Sequence, residues 1–356
     1  MMPVDICELF ERRELVKVCA PMVRYSKLAF RTLVRLYNCD LCFTPMILAD
    51  SFIKSEEARN SEFTTFTGDQ PLIVQFAANN TYDFATAAEM VARYSNGVDL
   101  NCGCPQRWAI SECVGAYLLD KPQLVKDMVL QVRNRIPHPY SVSAKIRIKH
   151  DIRLTVELCR TLEAAGLSFI TVHARTVEQR NQPINQESLK LISHSIRIPV
   201  VANGDVRTLA DAEELRETTR CKGVMSARGI LTNPAMFAGY HQTPVECIQE
   251  WITLAKAMKV PFKCFHHHLV FMLEKVLAKQ DRLIFNCLKD EESVLKYLKD
   301  YFDIFPKEKS QNFDPANFTV CDYSCVLDRS LSETKSKLAE DTSSEAILEH
   351  CCIFNV

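Results

Sequence analysis

The sequence predicts an α/β protein: a (β/α)8 TIM barrel followed by a C-terminal helical domain and a poorly ordered tail. Short apolar runs alternate with amphipathic stretches of helix length, the alternation gives eight units, and it stops near residue 243. Strict alternation of strand and helix implies parallel strands, and eight units favour a closed barrel. A doubly wound open sheet is the alternative, but no Gly-x-Gly-x-x-Gly turn follows the first run.

The predicted elements follow one another regularly. Each apolar run has the length of a buried strand, and most segments between the runs show the apolar spacing of an amphipathic helix. The eight predicted strands cover residues 15–20, 41–44, 72–76, 98–100, 142–148, 169–172, 198–202 and 223–226. The predicted helices between them cover 26–37, 85–94, 124–135, 152–165 and 210–216. Together these elements assign residues 1–243 to the barrel.

The region after residue 243 has a different pattern. Helical spacing continues over 244–258, 266–278 and 293–301 without apolar strand-like runs between them. This predicts a small helical domain over 244–304. Residues 305–356 are rich in Lys, Ser, Thr, Asp and Glu, so we predict a poorly ordered tail there.

Composition and charge restrict the class of protein. The chain has 356 residues, of which 47% are hydrophobic and 24% charged, which is a globular composition. Its net charge of −1 gives no sign of a nucleic-acid partner, so a polyanion would have to bind a local basic patch. We expect no membrane association, because no apolar run is long enough to span a bilayer. Nothing in the sequence indicates a protein partner.

The cysteines and histidines give no metal-binding pattern. The 16 cysteines are scattered and no signal peptide precedes them, so we expect free thiols and a cytoplasmic or nuclear location. Residues 1–16 are too acidic for a typical mitochondrial transit peptide, although the sequence leaves that compartment open. Cys39-x-x-Cys42 lacks a second pair at zinc-finger spacing, and the rings of His266-His267-His268 would point in different directions on a helix. We therefore expect no metal.

The ends of the predicted strands carry polar groups. In a (β/α)8 barrel the carboxyl ends of the strands meet at one rim, where the active site lies. Cys104 follows the fourth strand in the tight turn Asn101-Cys102-Gly103-Cys104-Pro105, which places a thiol at this rim. The other strand ends carry Ala20-Pro21-Met22, Pro45-Met46, Gln75, Lys145 with Arg147, His173 with Arg175, Asn203-Gly204-Asp205 and Ala227-Arg228-Gly229.

The cations and turns at the rim indicate the ligands. Lys145 lies in an otherwise apolar strand and needs an anionic or acceptor partner. The pyrimidine edge of a reduced flavin would serve, and a salt bridge to a rim carboxylate such as Asp205 is the alternative. The turns after the seventh and eighth strands favour a phosphate, which Arg228 would bind, although each is also compatible with an ordinary turn. For His173, a structural role and a ligand contact are equally compatible with the sequence.

Several of these segments resemble the tRNA-dihydrouridine synthase family, over roughly residues 15–303. The resemblance is carried by Asp99-Leu100-Asn101-Cys102-Gly103-Cys104-Pro105-Gln106 with Gly115-Ala116, Ala20-Pro21-Met22 with Phe30-Arg31, Lys145-Ile146-Arg147, Val172-His173-Ala174-Arg175-Thr176 and Asn203-Gly204-Asp205. The segments Arg107-Trp108-Ala109 and Asn233-Pro234-Ala235-Met236-Phe237 most resemble the eukaryotic branch associated with uridines 20a and 20b of the tRNA D-loop.

The resemblance implies an FMN enzyme that reduces uridine in tRNA to 5,6-dihydrouridine with NAD(P)H. Reduced flavin would give a hydride to C6 of uracil, and Cys104 would give a proton to C5. A thiol with the ordinary pKa of about 8.5 is mostly protonated at neutral pH and can act as this acid. Cys102 matches no catalytic position of the family and is expected to pack in the core.

The resemblance also implies roles for individual residues. The residues expected to contact FMN are Pro21, Met22, Val23, Gln75, Lys145, His173, Asn203, Gly204, Asp205, Ala227 and Arg228. The residues expected to contact the substrate are Asn101, Arg147 and Arg175. The target base must leave its stack and enter the barrel mouth. The basic residues expected to contact tRNA phosphates are Arg147, Lys149, Arg153, Arg175 and Arg180 at the rim and Lys275, Lys279 and Arg282 on the helical domain, which implies a tRNA-binding role for that domain.

The sequence departs from the family pattern at three places, one of which is Ser226, where an apolar residue is usual. The loop after Cys104 reads Glu112-Cys113-Val114-Gly115-Ala116-Tyr117, and Ala174 stands where a glycine is usual. A stiffer loop would close more slowly over the substrate. Two other functions therefore stay open at this point: a tRNA-binding homologue with weak catalysis, and an FMN oxidoreductase that acts on a small molecule.

Overall fold

The computed structural model describes residues 4–307, 318–319 and 321. They belong to one compact unit, Met1–Cys321, whereas a second unit, Asp322–Val356, lies outside the described residues. Within the described part of the chain, no helix is both long enough and apolar enough to cross a membrane.

The core of the first unit is a closed barrel of parallel strands. The strands are β1 (Val16–Cys19), β2 (Leu41–Phe43), β3 (Leu72–Ala77), β4 (Gly97–Cys102), β5 (Ser141–Arg147), β6 (Phe169–His173), β7 (Val200–Asn203) and β8 (Gly223–Ser226). Each strand pairs with the next, and β8 pairs with β1 to close the barrel, with Gly223 opposite Val16. A short additional strand, Ile47–Leu48, pairs with the end of β3. The predicted (β/α)8 barrel is confirmed.

Helices surround the barrel and form the region after it. The helices as far as β8 are α1 (Ile6–Arg12), α2 (Leu28–Arg35), α3 (Ala49–Lys54), α4 (Glu56–Glu62), α5 (Thr81–Val91), α6 (Arg107–Ser111), α7 (Pro122–Arg135), α8 (Ile152–Ala164), α9 (Gln186–Ser195) and α10 (Leu209–Thr219). Those after β8 are α11 (Arg228–Thr232), α12 (Val245–Ala257), α13 (Phe262–Met272), α14 (Lys279–Asn286) and α15 (Glu291–Phe302). Two 3₁₀ helices cover Gly115–Asp120 and Met236–Ala238.

Aromatic side chains fill one part of the barrel interior. Phe10 of α1 packs against Phe169 of β6 with the ring centroids 5.3 Å apart, and Phe169 contacts Phe43 of β2 at 6.4 Å. All three side chains are buried. Phe10 also lies against Gly223 at the start of β8, which places this apolar plug toward the amino ends of the strands.

The helices after residue 243 dock on the barrel through an aromatic cluster. His268 of α13 stacks on Phe30 of α2 with the centroids 4.5 Å apart, and it lies 4.3 Å from Trp251 of α12. Burial lowers the pKa of His268 to about 3, so the ring is neutral and packs as an aromatic side chain. The domain boundary at residues 243–244 stays a prediction.

The elements differ from the prediction mainly in the helices. All eight predicted strands are present and their bounds agree within two residues. The predicted helix over 266–278 is confirmed only as far as Met272, where α13 ends; α14 begins at Lys279, and no Gly or Pro marks the break. The helices that the sequence pattern did not predict include α3, α4, α9 and α14.

The predicted tail over 305–356 lies mostly outside the described residues. Within the described part, Phe318–Thr319 forms a short strand that pairs antiparallel with Thr65–Phe66. Lys307 contacts α12, since its backbone N–H donates to the Thr253 hydroxyl at 3.0 Å. These few residues of the predicted tail are therefore paired with the rest of the unit.

Candidate active site

The carboxyl rim of the barrel brings the predicted site residues together. Gln75, Asn101 and Lys145 lie on the neighbouring strands β3, β4 and β5. The other predicted residues end a strand or follow one: Pro21, Met22 and Val23 after β1, Cys104 after β4, Arg147 at the end of β5, His173 and Arg175 at and after the end of β6, Asn203, Gly204 and Asp205 at and after the end of β7, and Ala227 and Arg228 after β8.

The loop that carries Cys104 is held in place by hydrogen bonds to its backbone. The Asn101 Oδ1 atom accepts from the backbone N–H groups of Gly103 at 3.1 Å and Cys104 at 2.9 Å. The carbonyl of Cys104 accepts from the N–H of Ala116 at 3.0 Å. Gly115 has φ +65°, and a Cβ there would lie 2.9 Å from the Cys104 Cβ. The backbone of Cys104 is therefore fixed from both sides.

A row of buried polar side chains leads from this loop into the barrel. The Asn101 Nδ2 atom donates to the Gln75 Oε1 atom at 2.9 Å, and the Gln75 Nε2 atom donates to Asp99 Oδ2 at 2.8 Å. Ser143 Oγ donates to the other oxygen of Asp99 at 2.6 Å. Asp99 is 0% exposed, and burial raises its pKa to about 6. The row ends on a carboxylate at neutral pH.

Lys145 is a largely buried cation of the site. Its ammonium forms no hydrogen bond or ion pair with any residue that the structure describes. Burial, the largest cause, and the Arg147 charge together lower its pKa to about 8, although Asp99 and Cys104 act to raise it. The predicted alternative, a salt bridge to Asp205, is not formed, because Asp205 pairs with Arg175. Lys145 is thus available to an external acceptor.

The two neighbouring thiols have different environments. Cys102 is buried and only 1% exposed, whereas Cys104 is partly exposed. Burial raises the pKa of the Cys104 thiol, and the charges of Arg147 and Lys145 lower it. Burial raises the pKa of Cys102 well above its ordinary value. The structure therefore presents Cys104, and not Cys102, to the rim.

His173 and Arg175 form an internal cluster with Asp205. Arg175 is 2% exposed, and its guanidinium donates to Asp205 Oδ1 and to the Gln182 carbonyl, each at 2.5 Å. Its Nη1 atom also lies 3.2 Å from His173 Nε2, which must therefore accept. Burial and four neighbouring cations lower the pKa of His173 to about 2, so this ring is neutral with its proton on Nδ1.

Arg147 joins two loops of the rim. Its Nε atom donates to the Gly103 carbonyl at 3.1 Å, and its Nη1 atom donates to the carbonyls of Thr176 at 2.7 Å and Gln179 at 3.0 Å. The prediction that Arg147 and Arg175 contact tRNA phosphates from open rim positions disagrees with this burial. Both guanidinium groups have internal partners, which long charged side chains at strand ends did not reveal in the sequence.

The loops after β7 and β8 combine a tightly packed backbone with exposed side chains. Gly204 has φ +131°, and a Cβ there would lie 2.4 Å from the Ile184 side chain. Asn203 Nδ2 donates to the Met225 carbonyl at 2.9 Å, which ties β7 to β8. Arg228 is exposed and its Nη1 atom donates to Asn181 Oδ1 at 3.2 Å. Val23 is 49% exposed at the rim.

Other groups that the sequence singled out lie elsewhere. Lys149 pairs with Asp120, and the exposed Arg153 pairs with Asp151. Two surface cavities of about 410 and 460 Å³ are not lined by any predicted site residue. Among the residues that the structure describes, no group of His, Cys, Asp and Glu side chains is arranged to hold a metal ion.

Sequence reasoning missed Asp99 and Ser143 as members of the site. The signal for Asp99 was present, because a carboxylate in the middle of the apolar run Val98-Asp99-Leu100 must be paired once it is buried. No pattern in the sequence indicates Ser143, whose partner depends on the register between β4 and β5, where Asp99 lies opposite Ser143.

Comparison with known proteins identifies close relatives. The family described as "Dihydrouridine synthase (Dus)" matches residues 18–311. The tRNA-dihydrouridine(20a/20b) synthase [NAD(P)+]-like protein of Mus musculus is 56% identical over 299 residues, which is 84% of this chain and 92% of that protein. The tRNA-dihydrouridine(20a/20b) synthase [NAD(P)+] of Schizosaccharomyces pombe is 40% identical over 302 residues, 84% of this chain and 92% of that protein. Among solved structures, the old yellow enzyme homologue from Zymomonas mobilis is 10% identical with a TM-score of 0.47, over 71% of this chain and 92% of that one.

Proposed function

Because this chain belongs to the dihydrouridine synthase family, we propose that it reduces uridine to 5,6-dihydrouridine in the tRNA D-loop, at positions 20a and 20b, with FMN and NAD(P)H. The observation that carries the proposal is the placement of the Cys104 thiol near the largely buried Lys145 ammonium, which has no partner among the described residues, at one rim. We place the reaction in the cytoplasm or nucleus.

The residues of the rim fit a flavin. Lys145 offers a largely buried ammonium that meets no acceptor in the described part of the chain, which suits the electron-rich pyrimidine edge of the ring. The neutral His173 offers its Nδ1–H as a donor. On the far side of the mouth, the tight turn at Gly204 and the exposed Arg228 suit a phosphate. A bound FMN would supply the hydride that reaches C6 of uracil.

The protein supplies the proton. The raised pKa keeps Cys104 protonated at neutral pH, so its thiol can donate a proton to C5 of uracil. Donation leaves a thiolate, and the nearby charges of Lys145 and Arg147 stabilise it until solvent restores the proton. The backbone of Cys104 is fixed by Asn101 and Ala116, which holds the sulfur in one position during the transfer.

The substrate must reach this mouth from outside the barrel. A base inside the tRNA stack has to be extruded before C5 and C6 are accessible. Four exposed cations are candidates for contact with the tRNA: Arg180 and Arg228 on the rim, and Lys275 and Lys279 on the region after the barrel. We propose that they contact tRNA phosphates, and that Arg147 and Arg175 support the rim loops instead of touching the phosphates.

Two cysteine variants test this function. We expect the purified protein to be yellow, and Cys104→Ala to keep the flavin and its reduction by NADPH while dihydrouridine formation falls by about 100-fold or more. Cys102→Ala, two residues away, should keep most of the activity. The measurement is mapping of dihydrouridine in tRNA treated with each variant. A colourless protein that does not take up FMN, or equal loss in both variants, would contradict the proposal.

A further inference from the structure

The buried row Ser143–Asp99–Gln75–Asn101 has a fixed order of donors and acceptors. An ionised carboxylate only accepts hydrogen bonds, so Gln75 must turn its NH₂ group toward Asp99. The oxygen of Gln75 then faces Asn101, which must donate a hydrogen bond to it from its own NH₂ group. The oxygen of Asn101 is thereby turned toward the N–H groups of Gly103 and Cys104.

The opposite order would leave unpaired groups in the core. If Asn101 turned its NH₂ group toward the loop, donors would face the donors of Gly103 and Cys104. Gln75 is 1% exposed and Asn101 is 9% exposed, so water does not replace the lost partners. An unpaired buried polar group costs about 1–3 kcal/mol. The two amides could each be turned around, whereas the carboxylate of Asp99 accepts on both of its oxygens and so dictates the order.

We infer that Asp99 is a positioning residue for Cys104: its carboxylate sets the orientation of both amides and so holds the loop that carries the thiol. Asp99 acts through Gln75 and Asn101 and touches neither the substrate nor the flavin in this role. The inference rests on the proposed function for the role of the thiol. The orientation of the amides and the order of the loop are properties of the protein alone.

An exchange of charge between two positions tests the inference. In Gln75→Met, the side chain at position 75 has no N–H group to donate to Asp99 and no amide oxygen to accept from Asn101, so the row is broken. In Asp99→Asn, Gln75 loses its ionised acceptor and the new amide can turn either face to it, so the order is enforced less strongly. In the double variant Asp99→Asn/Gln75→Glu, the new amide at position 99 donates to the new carboxylate at position 75. That carboxylate also accepts from Asn101, and the original order toward Cys104 returns. All three changes are nearly isosteric.

Hydrogen exchange of the Gly103 and Cys104 amides in the full-length, flavin-loaded protein is the first measurement. We expect exchange to accelerate about tenfold or more in Gln75→Met and about threefold in Asp99→Asn, and to return within about 1.5-fold of the wild type in the double variant. Ser143→Ala is the control, because it leaves the order from Asp99 to Asn101 intact. Exchange of the Gly103 and Cys104 amides in this variant should stay within about twofold of the wild type. Unchanged exchange in Gln75→Met, or exchange in the double variant as fast as in Asp99→Asn, would overturn the inference.

The two half-reactions give the second measurement. In Asp99→Asn, oxidation of the reduced flavin by tRNA should slow at least about threefold more than its reduction by NADPH, because only the former step uses Cys104. Equal slowing of both steps would indicate general damage and overturn the inference. If the exchange pattern appears as expected and the wild type does not reduce tRNA, the proposed function fails and the positioning of the loop stands.

Discussion

At the scale of single residues, Lys145 shows how a binding site opposes stability. Its ammonium is held in the barrel interior, and burial lowers its pKa from 10.5 to about 8. Below pH 8 the side chain is charged in both the folded and the unfolded state, so the full penalty of burial is present. Between pH 8 and 10.5 the unfolded state binds more protons, and the contribution of this residue to stability rises with pH.

Lys145→Met should therefore stabilise the flavin-free protein and weaken flavin binding. We expect the free energy of unfolding at pH 7 to rise by about 1–3 kcal/mol, since one pKa unit corresponds to about 1.4 kcal/mol. The gain should shrink as the pH is raised to about 10. FMN affinity should fall by about tenfold or more. Urea denaturation at both pH values and flavin titration measure these effects, and a variant that is less stable at pH 7 would contradict the prediction.

Gly115 is a second residue with a specific requirement, since its position has no room for a side chain, although it lies outside the predicted site. With φ +65° and Cys104 atoms at 2.8 and 2.9 Å from the place of a Cβ, Gly115→Ala must displace the Cys104 loop. We expect dihydrouridine formation to fall by about tenfold or more with the flavin still bound. The rate of Cys104 alkylation by iodoacetamide should change in parallel.

A matched control separates this displacement from backbone strain. Gly166 has φ +92°, and its nearest neighbours, atoms of Arg133, lie 3.7 Å from the place of a Cβ. Gly166→Ala carries a similar conformational strain far from Cys104, so its activity should stay near that of the wild type. Equal losses in the two variants would show that strain alone explains the effect of Gly115→Ala.

From residue type and position, the location of the site could be predicted better than the contacts within it. The rim positions of Cys104 and Lys145 follow from where the strands end, which apolar runs reveal. The burial of Arg147 and Arg175 cannot be inferred in this way. An arginine that donates to backbone carbonyls looks the same in sequence as one that faces solvent. Their partners belong to loops whose paths the sequence pattern leaves undefined.

At the scale of elements, strands were more predictable than helices. A buried parallel strand has apolar residues on both faces, and this signal is strong even over four residues such as Gly223–Ser226. The helices α3 and α4 have six and seven residues, which is too short for a clear helical period. The break between α13 and α14 falls among good helix formers, so only tertiary packing decides it.

The exposed cations beside α13 and α14 give a prediction at this scale. Lys275 lies between the two helices, Lys279 begins α14, and both side chains are exposed. If they contact tRNA phosphates, Lys275→Glu/Lys279→Glu should weaken tRNA binding by about tenfold or more and reduce its salt dependence. Flavin reduction by NADPH should not change.

Lys222 provides the control for this surface. It is exposed and directly precedes β8, at the amino end of the barrel and away from the rim. Lys222→Glu should leave tRNA binding unchanged in a filter-binding or electrophoretic mobility assay at fixed salt concentration. If Lys222→Glu weakens binding as much as the double variant, net charge and not this surface determines tRNA affinity.

At the scale of the whole molecule, one buried carboxylate supports the contact between the barrel and the later helices. Asp69 is 0% exposed and pairs with Arg31 at 2.7 Å and Arg35 at 3.2 Å, both on α2. The same helix carries Phe30, which stacks on His268 of α13. The ion cluster therefore fixes the helix on which the C-terminal region docks.

Asp69→Ala should destabilise the barrel and the docked helices together. It leaves two buried guanidinium groups without their carboxylate, and removing one partner of a buried ion pair costs about 3–5 kcal/mol. Thermal unfolding followed by circular dichroism should show one transition at a lower Tm. The control is Glu14→Ala, which removes an exposed partner of Arg216 and should change stability by less than about 1 kcal/mol. If Asp69→Ala instead unfolds in two steps, with the barrel at its original Tm, then the cluster stabilises only the docked helices, and the barrel does not depend on α2 being held in place.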